Sequence, residues 1–255
     1  MSTRAMQIDI DGAVATLTMN RPDKRNAMND QLLGEIDAFF AKPPKGVRVA
    51  ILVGSGGHYC AGLDLSEHQA RDAEGTLHHS RGWQAVMDRI QLSGLPVVSA
   101  LFGAVIGGGL ELATATHVRI AEPDCIFQLP EGRRGIFVGG GATVRVGRIL
   151  GADRMIEMML TGRKYGTDDA VALGLAHYAV GAGEALPMAR KIAAQIAGNA
   201  PLANYMMIQA ISRIDDMSRA DGLFTESLCA ALAQTSPDAL EGLAAFLEKR
   251  PPTFR

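Results

Sequence analysis

The chain opens on alternation. In Met6-Gln7-Ile8-Asp9-Ile10 and in Ala13-Val14-Ala15-Thr16-Leu17-Thr18-Met19, apolar and polar positions change with period two, and Asp11-Gly12 lies between them. This pattern predicts a hairpin. Asn20-Arg21-Pro22-Asp23 reads as a turn. Asn29 or Asp30 then caps a helix that places Leu32, Leu33, Ile36 and Phe39-Phe40 on one face, and Pro43-Pro44 stops it. Val47 to Val53 reads as a short buried strand, followed by the loop Gly54-Ser55-Gly56-Gly57.

Strand and helix then repeat. Trp83, Val86, Met87 and Ile90 fall at helical spacing, and Pro96 to Phe102 is the next strand. A helix starts at Gly107-Gly108-Gly109, and Val118 to Ala121 and Ile126 to Leu129 read as short strands. Gly139-Gly140-Gly141 opens a helix through Val144, Val146 and Ile149, and Met155 to Leu160 is again helical. From Leu186 to Leu247 only helical spacing remains, with breaks near Pro201 and Pro237. The expectation is an α/β core over residues 1–195 that carries the site. A helical region over residues 196–255 belongs to the same unit, since no Pro/Ser/Gly-rich linker divides them.

Composition narrows the class. A chain of 255 residues buries about 70–75% of its unfolded surface, so it needs no disulfide or metal staple. Apolar residues at 47% and charged residues at 20% exclude intrinsic disorder. With 25 Lys+Arg against 27 Asp+Glu and no basic helix face, a nucleic-acid partner is not expected. The cysteines Cys60, Cys125 and Cys229 are odd in number and lack CxxC spacing, which fits a reducing cytoplasm and no metal site. Ile90 to Leu110 is uncharged and long enough to imitate a membrane span. It holds Pro96, Ser93, Ser99 and five glycines, so a strand running into a glycine loop accounts for it and no membrane is expected.

Common glycine and nucleophile motifs are missing: there is no GxxxxGK[ST], no GxGxxG and no GxSxG. His78-His79 reads as a solvated loop pair. Three segments carry more. In Ala61-Gly62-Leu63-Asp64-Leu65 a strand ends in small residues, Asp64 sits where a helix could begin, and the N–H groups near Gly62-Leu63 can stay unpaired. In Gly107-Gly108-Gly109-Leu110-Glu111, glycines at a helix start leave N–H groups open to a ligand oxygen, and Glu111 follows one turn after Gly108. A glutamate after so long an uncharged run is expected half-buried with a raised pKa, which suits acid–base work. In Leu129-Pro130-Glu131-Gly132, Glu131 is a loop carboxylate between a strand and a helix. Two N–H-bearing loops and two carboxylates form a minimal kit for stabilising an enolate and moving protons beside it.

These pieces stand in a familiar order. Asn20-Arg21-Pro22-Asp23-Lys24-Arg25-Asn26-Ala27-Met28-Asn29, Ala61-Gly62-Leu63-Asp64-Leu65, Gly107-Gly108-Gly109-Leu110-Glu111-Leu112-Ala113, Pro130-Glu131 with its later glycines, Leu160-Thr161-Gly162 and Phe246-Leu247-Glu248-Lys249-Arg250 are similar to motifs of one family. The chain resembles the crotonase (enoyl-CoA hydratase/isomerase) superfamily over nearly its whole length. The resemblance implies a spiral of ββα units, C-terminal helices that build trimers or hexamers, and an acyl-CoA thioester substrate, with coenzyme A as part of the substrate and no cofactor. It implies that Leu63 and Gly108 N–H groups form the oxyanion hole, that Glu111 activates water, and that Glu131 supplies the proton at Cα. It also implies coenzyme A contacts from Lys24, Arg25, Ala61, Gly62 and Asp64, with Lys249 reaching the coenzyme A of a neighbouring subunit. Residues 66–90 would line the acyl pocket. Val138 stands where the family often has Pro, and His117 where many members have Asp; His117 is expected to be structural.

Two glutamates rather than one favour a 2-trans-enoyl-CoA hydratase. A Δ3,Δ2-enoyl-CoA isomerase, a thioester hydrolase and a hydratase-lyase remain open at this point. An RNA-binding or purely structural homologue is the alternative of another class.

Overall fold

The computed structural model describes residues 4–66 and 70–254. The opening alternation folds into β1 (Met6–Asp11) and β2 (Val14–Met19), paired antiparallel from Met6↔Met19 to Asp11↔Val14. Helix α1 (Asp30–Ala41) starts at Asn29, whose side chain accepts the Leu32 N–H at 3.0 Å. That bond satisfies one of the donors a helix start leaves bare. The buried face of α1 is Leu32, Leu33, Ile36, Phe39 and Phe40, as the spacing predicts.

β3 (Val49–Gly54) enters parallel to β2, and α2 (Ala73–Leu92) leads to β4 (Val97–Leu101), parallel to β3. With β6 (Val118–Ala121) and β8 (Tyr178–Ala179) they form a six-stranded sheet of order β1-β2-β3-β4-β6-β8. β3 and β4 are buried along their whole length because both sheet faces are covered. Ala50, Leu52, Val97 and Leu101 join the core that includes Leu32, Ile36 and Met87. Val49, Ile51, Val53, Val98 and Ala100 face α7 (Ala185–Ala197), through Ala189, Ile192 and Ala193. α2 begins earlier than its apolar spacing suggests, because Asp72 caps it by accepting the Gly75 N–H at 2.8 Å. His78-His79 therefore lies on a helix rather than in a loop, with His79 Nε2 at 3.3 Å from Asp30 Oδ1.

A second, two-stranded parallel sheet pairs β5 (Ala104–Ile106) with β7 (Ile126–Gln128). Between them stand α3 (Gly108–Thr114) and β6. After β7 come a 3₁₀ turn (Glu131–Arg134), α4 (Ala142–Leu150), α5 (Ala152–Thr161) and α6 (Thr167–Ala172). Beyond α7 the described chain is helical only. α8 (Pro201–Met206) passes through a π turn into α9 (Ser212–Ile214), followed by α10 (Arg219–Gln234) and α11 (Pro237–Leu247). The uncharged run resolves into the end of α2, β4, β5 and the start of α3. No helix of the described residues is long and apolar enough to cross a membrane.

Candidate active site

The uncharged run ends where β5 meets α3. Gly107 takes φ 55° there and donates its N–H to the Gln128 carbonyl at 2.8 Å. Against this corner runs the chain that follows β3. Cys60 N–H donates to Ala104 O at 2.9 Å, and Ile106 N–H donates back to Cys60 O at 3.1 Å. The two segments touch backbone to backbone. A Cβ on Gly109 would stand 2.2 Å from Cys60 O, and one on Gly62 would stand 2.7 Å from Ile106 O and 3.2 Å from Gly108 N. Leu63 N lies 3.5 Å from where a Gly108 Cβ would be. Leu63 and Gly108 are thus brought together, and among the described residues neither of their N–H groups has an acceptor.

Two carboxylates reach this corner. Glu111, on α3, is only 3% exposed. Its Oε1 accepts the N–H groups of Gly140 at 2.8 Å and Ala142 at 3.0 Å. Burial pushes its pKa above the ordinary range, and these N–H groups and the Arg145 charge offset part of the rise. Glu131 opens the 3₁₀ turn, where the sequence suggests a plain loop. Its Oε1 lies 2.8 Å from the position of a Gly107 Cβ. Burial first raises its pKa, to about 7; the hydrogen bond from its own backbone N–H opposes the rise, the neighbouring Glu111 charge adds to it, and Arg134 opposes it least. Its Oε2 is buried without a hydrogen-bond partner. The two acids differ: one is fixed by donors that favour its anion, while the other keeps one oxygen without a partner and titrates near neutrality.

The loop that anchors Glu111 is itself clamped from α2. Ser80 Oγ and Gln84 Nε2 donate to Gly139 O at 2.7 and 3.1 Å. Further along the helix, Asp88 and Gln91 accept from Arg145 at 2.5 and 2.7 Å. Arg145 Nη1 donates to Gly140 O at 3.3 Å. Gly141, at φ 109°, holds a backbone conformation that strains a side chain, and a Cβ there would fall 2.2 Å from that same Nη1 and displace the guanidinium tip. Arg145→Met removes all three bonds while keeping the volume. It is expected to lose about 1–3 kcal/mol, read as a fall in Tm of several degrees. An unchanged Tm would show that the clamp does not hold the loop.

The turn at Asn20-Arg21-Pro22-Asp23 also comes to the site. Met28 N–H donates to Gly62 O at 2.7 Å, Asp64 N–H to Met28 O at 2.9 Å, and Ala61 N–H to Arg25 O at 3.0 Å. Lys24 Nζ donates to Ser66 Oγ at 2.9 Å. Asn26 is fully buried and its Nδ2 donates to Ser55 O and His58 O at 2.8 and 2.7 Å, which fixes the turn to the loop after β3. Asp64 departs from expectation in two ways. No helix begins at it, since Leu65-Ser66 is a turn and α2 starts at Ala73. Its oxygens are occupied by Arg21 at 2.9 Å and by Ser66 N–H and Oγ at 3.0 and 2.6 Å. Burial alone would raise its carboxyl, but the bonds from Ser66 and Arg21 outweigh it and hold the pKa below the usual value. Lys249 stands apart after α11, exposed, its side chain making no hydrogen bond or ion pair among the described residues. Of the 66–90 segment, residues 67–69 lie outside the described residues.

His117 is structural. Its Nδ1 accepts Val97 N–H at 3.0 Å and its Nε2 meets Gln91 O at 3.0 Å. That pairing requires a neutral ring with the proton on Nε2. Several residues escape the sequence reading. Asn26 and Arg145 are buried polar anchors and Arg21 is a half-buried one; their partners Ser55, Asp88 and Asp64 are distant in sequence, and nothing in local periodicity marks them. The third glycine cluster gives a signal, but only folding reveals that its N–H groups serve Glu111.

Comparison with known proteins places the chain in a family. Residues 9–255 match the family described as "Enoyl-CoA hydratase/isomerase". Enoyl-CoA hydratase domain-containing protein 2, mitochondrial, of Bos taurus is 36% identical over 249 residues, covering 94% of this chain and 84% of that protein. The 2,3-dehydroadipyl-CoA hydratase of Escherichia coli is 32% identical, with 95% of each chain covered. The solved structure of an enoyl-CoA hydratase from Bacillus anthracis superposes with a TM-score of 0.92 at 31% identity, covering 98% of both chains. The chain has the crotonase fold and belongs to the enoyl-CoA hydratase/isomerase family.

Proposed function

We propose that the protein adds water across the 2,3-double bond of a 2-trans-enoyl-CoA. One observation carries this reading: two buried carboxylates with raised pKa values flank a corner where two backbone N–H groups have no acceptor. In it the Leu63 and Gly108 N–H groups bind the thioester oxygen. Each such donor is worth about 3–4 kcal/mol as charge develops there. Glu111, as carboxylate, takes a proton from water as its oxygen bonds to Cβ. Glu131, as acid, gives its proton to Cα as the enolate collapses. Lys24, Arg25, Ala61 and Gly62 hold the coenzyme A portion in this reading, Asp64 acts through Arg21 and Ser66, and Lys249 serves a neighbouring subunit. The steps are an addition and proton transfers, so they call on no cofactor beyond the coenzyme A that the substrate carries.

The test is a panel of saturated, 2-enoyl, 3-enoyl and aromatic acyl-CoA esters followed by mass spectrometry. A gain of one water on 2-enoyl esters supports the reading. Isomerisation without water addition, or release of free coenzyme A, replaces it with isomerase or hydrolase chemistry on the same groups.

The pH dependence follows from the two acids. Glu131 must be protonated, so kcat/KM falls as pH rises through about 7. Glu111 must be ionised, so activity also falls on the acid side, at a pH above the ordinary carboxylate range. The profile is a bell whose limbs belong to the pair. A rate that stays flat from pH 6 to 9 would contradict the assignment.

The C-terminal helices support assembly into trimers or hexamers. Phe224, Leu228 and Leu232 on α10 and Leu240, Leu243 and Phe246 on α11 are all at least half exposed, more apolar surface than a lone chain leaves in water. Sedimentation is expected to give a trimer or hexamer; a monomer at micromolar concentration would contradict it. A cytoplasmic setting completes the reading, resting on three cysteines that are all free thiols.

A further inference from the structure

Among the described residues, two buried side-chain polar atoms have no hydrogen-bond partner: Glu131 Oε2 and Trp83 Nε1. They sit on different elements, the 3₁₀ turn and α2, yet their side chains close on the same corner. The Glu131 carboxylate stands against Gly107. The Trp83 ring stands against Gly108, where a Cβ would lie 2.9 Å from indole Cζ3. Trp83 is 5% exposed. A buried indole N–H is nearly always bonded, since baring it forfeits the bond it made to water. The His79 ring lies 6.0 Å away between centroids and turns its Nε2 to Asp30.

We propose that Trp83 Nε1–H is a substrate donor, bonding an oxygen carried by the acyl chain, so that the site selects oxygen-substituted acyl-CoA esters over plain hydrocarbon ones. This rests on the acyl-CoA reading above. The benzo edge of the indole faces Gly108, so the N–H lies on the five-membered ring, away from that edge. An oxygen bonded there is displaced from the thioester, and in this proposal it is one carried by the acyl group. The surroundings sharpen the choice: Met28 Cε lies 3.2 Å from the Gly108 Cβ position, and Val86 and Met87 are buried on the same helix as Trp83. A single donor in an apolar wall favours ligands that satisfy it and gives nothing to those that cannot.

Trp83 is the only tryptophan in the chain, so intrinsic emission reports on it alone. The full-length protein is titrated with hexanoyl-CoA and its 4-, 5- and 6-hydroxy derivatives, reading calorimetric Kd and Trp emission. The expected result is that one hydroxy ester binds at least about ten-fold more tightly than hexanoyl-CoA and shifts the emission maximum. Trp83→Phe then removes the preference, so the ratio of hexanoyl-CoA Kd to hydroxy-ester Kd falls from at least about ten to about one. Equal affinities with unchanged emission overturn the proposal, leaving the indole N–H to a buried water, while the acyl-CoA reading stands. Failure of every ester to bind overturns both. Should the Phe variant not fold, the wild-type affinities and emission decide alone.

Discussion

Glu131→Gln lowers kcat/KM for crotonyl-CoA hydration by about 10²–10⁴-fold, and Glu111→Gln does so by a similar factor. Each variant keeps the shape of the site. In Glu111→Gln the new side chain still offers an amide oxygen to the Gly140 and Ala142 N–H groups that Glu111 Oε1 accepts at 2.8 and 3.0 Å. What each variant loses is the ability to take or give a proton. Stability separates this from collapse of the fold. The folded pKa of Glu131 is raised from an ordinary 4.5 to about 7. The protein is therefore most stabilised by this group below the unfolded value, and that stability is lost as pH rises through the folded value. The amide of Glu131→Gln has no proton to lose, so this variant is more stable than the parent at pH 8, by on the order of 3 kcal/mol at most. Steady-state rates together with thermal melts at pH 5 and 8 check both parts. A variant with near-normal hydration, or one that melts lower at pH 8, would contradict the placement of Glu131 as a buried acid.

Gly109→Ala has the largest expected effect on stability. In an open helix Ala would gain about 1 kcal/mol over Gly. Here its Cβ falls 2.2 Å from Cys60 O and 2.9 Å from Cys60 C, both backbone atoms. No rotamer change relieves a clash with backbone, so either α3 or the chain from Cys60 to Leu63 must move. The clash outweighs the propensity gain, and a net loss of about 3–5 kcal/mol is expected. Cys60 O already accepts Ile106 N–H at 3.1 Å. The same displacement therefore parts Leu63 from Gly108, and residual folded protein should lose hydration more than it loses thioester binding. Denaturant titration against a Gly34→Ala control, where nothing lies within 4 Å of the added carbon, isolates the clash. Equal midpoints for the two variants would refute the close crossing.

Much of this molecule is legible from its sequence where the cause is local. The hairpin, α1 and the buried strands β3 and β4 follow from period-two and helical spacing, because one or both of their faces pack against the core. Glu111 stands out as a carboxylate after a glycine-rich, uncharged run, whereas Glu131, two residues from Arg133, is marked only by its place between a strand and a glycine cluster. What stays hidden is set by contacts distant in the chain. Asp64 reads as a helix start, but its environment is fixed by Arg21, 43 positions away. The loop holding Glu111 is clamped from α2, and the Arg145–Asp88 pair spans 57 positions. Trp83 reads as a core residue and is one, yet its nitrogen has no partner in that core. Periodicity reports which face is buried; it does not report which polar atom is left unpaired.

In the proposed reaction one thioester oxygen lies between two backbone N–H groups and two acids. Its most direct test is a crystal structure of the protein with acetoacetyl-CoA. The thioester oxygen is expected at about 2.7–3.1 Å from both Leu63 N and Gly108 N, with the Glu111 and Glu131 carboxylates on either side of the Cα–Cβ bond. A thioester held by other donors, or one with either carboxylate turned away from it, would contradict it.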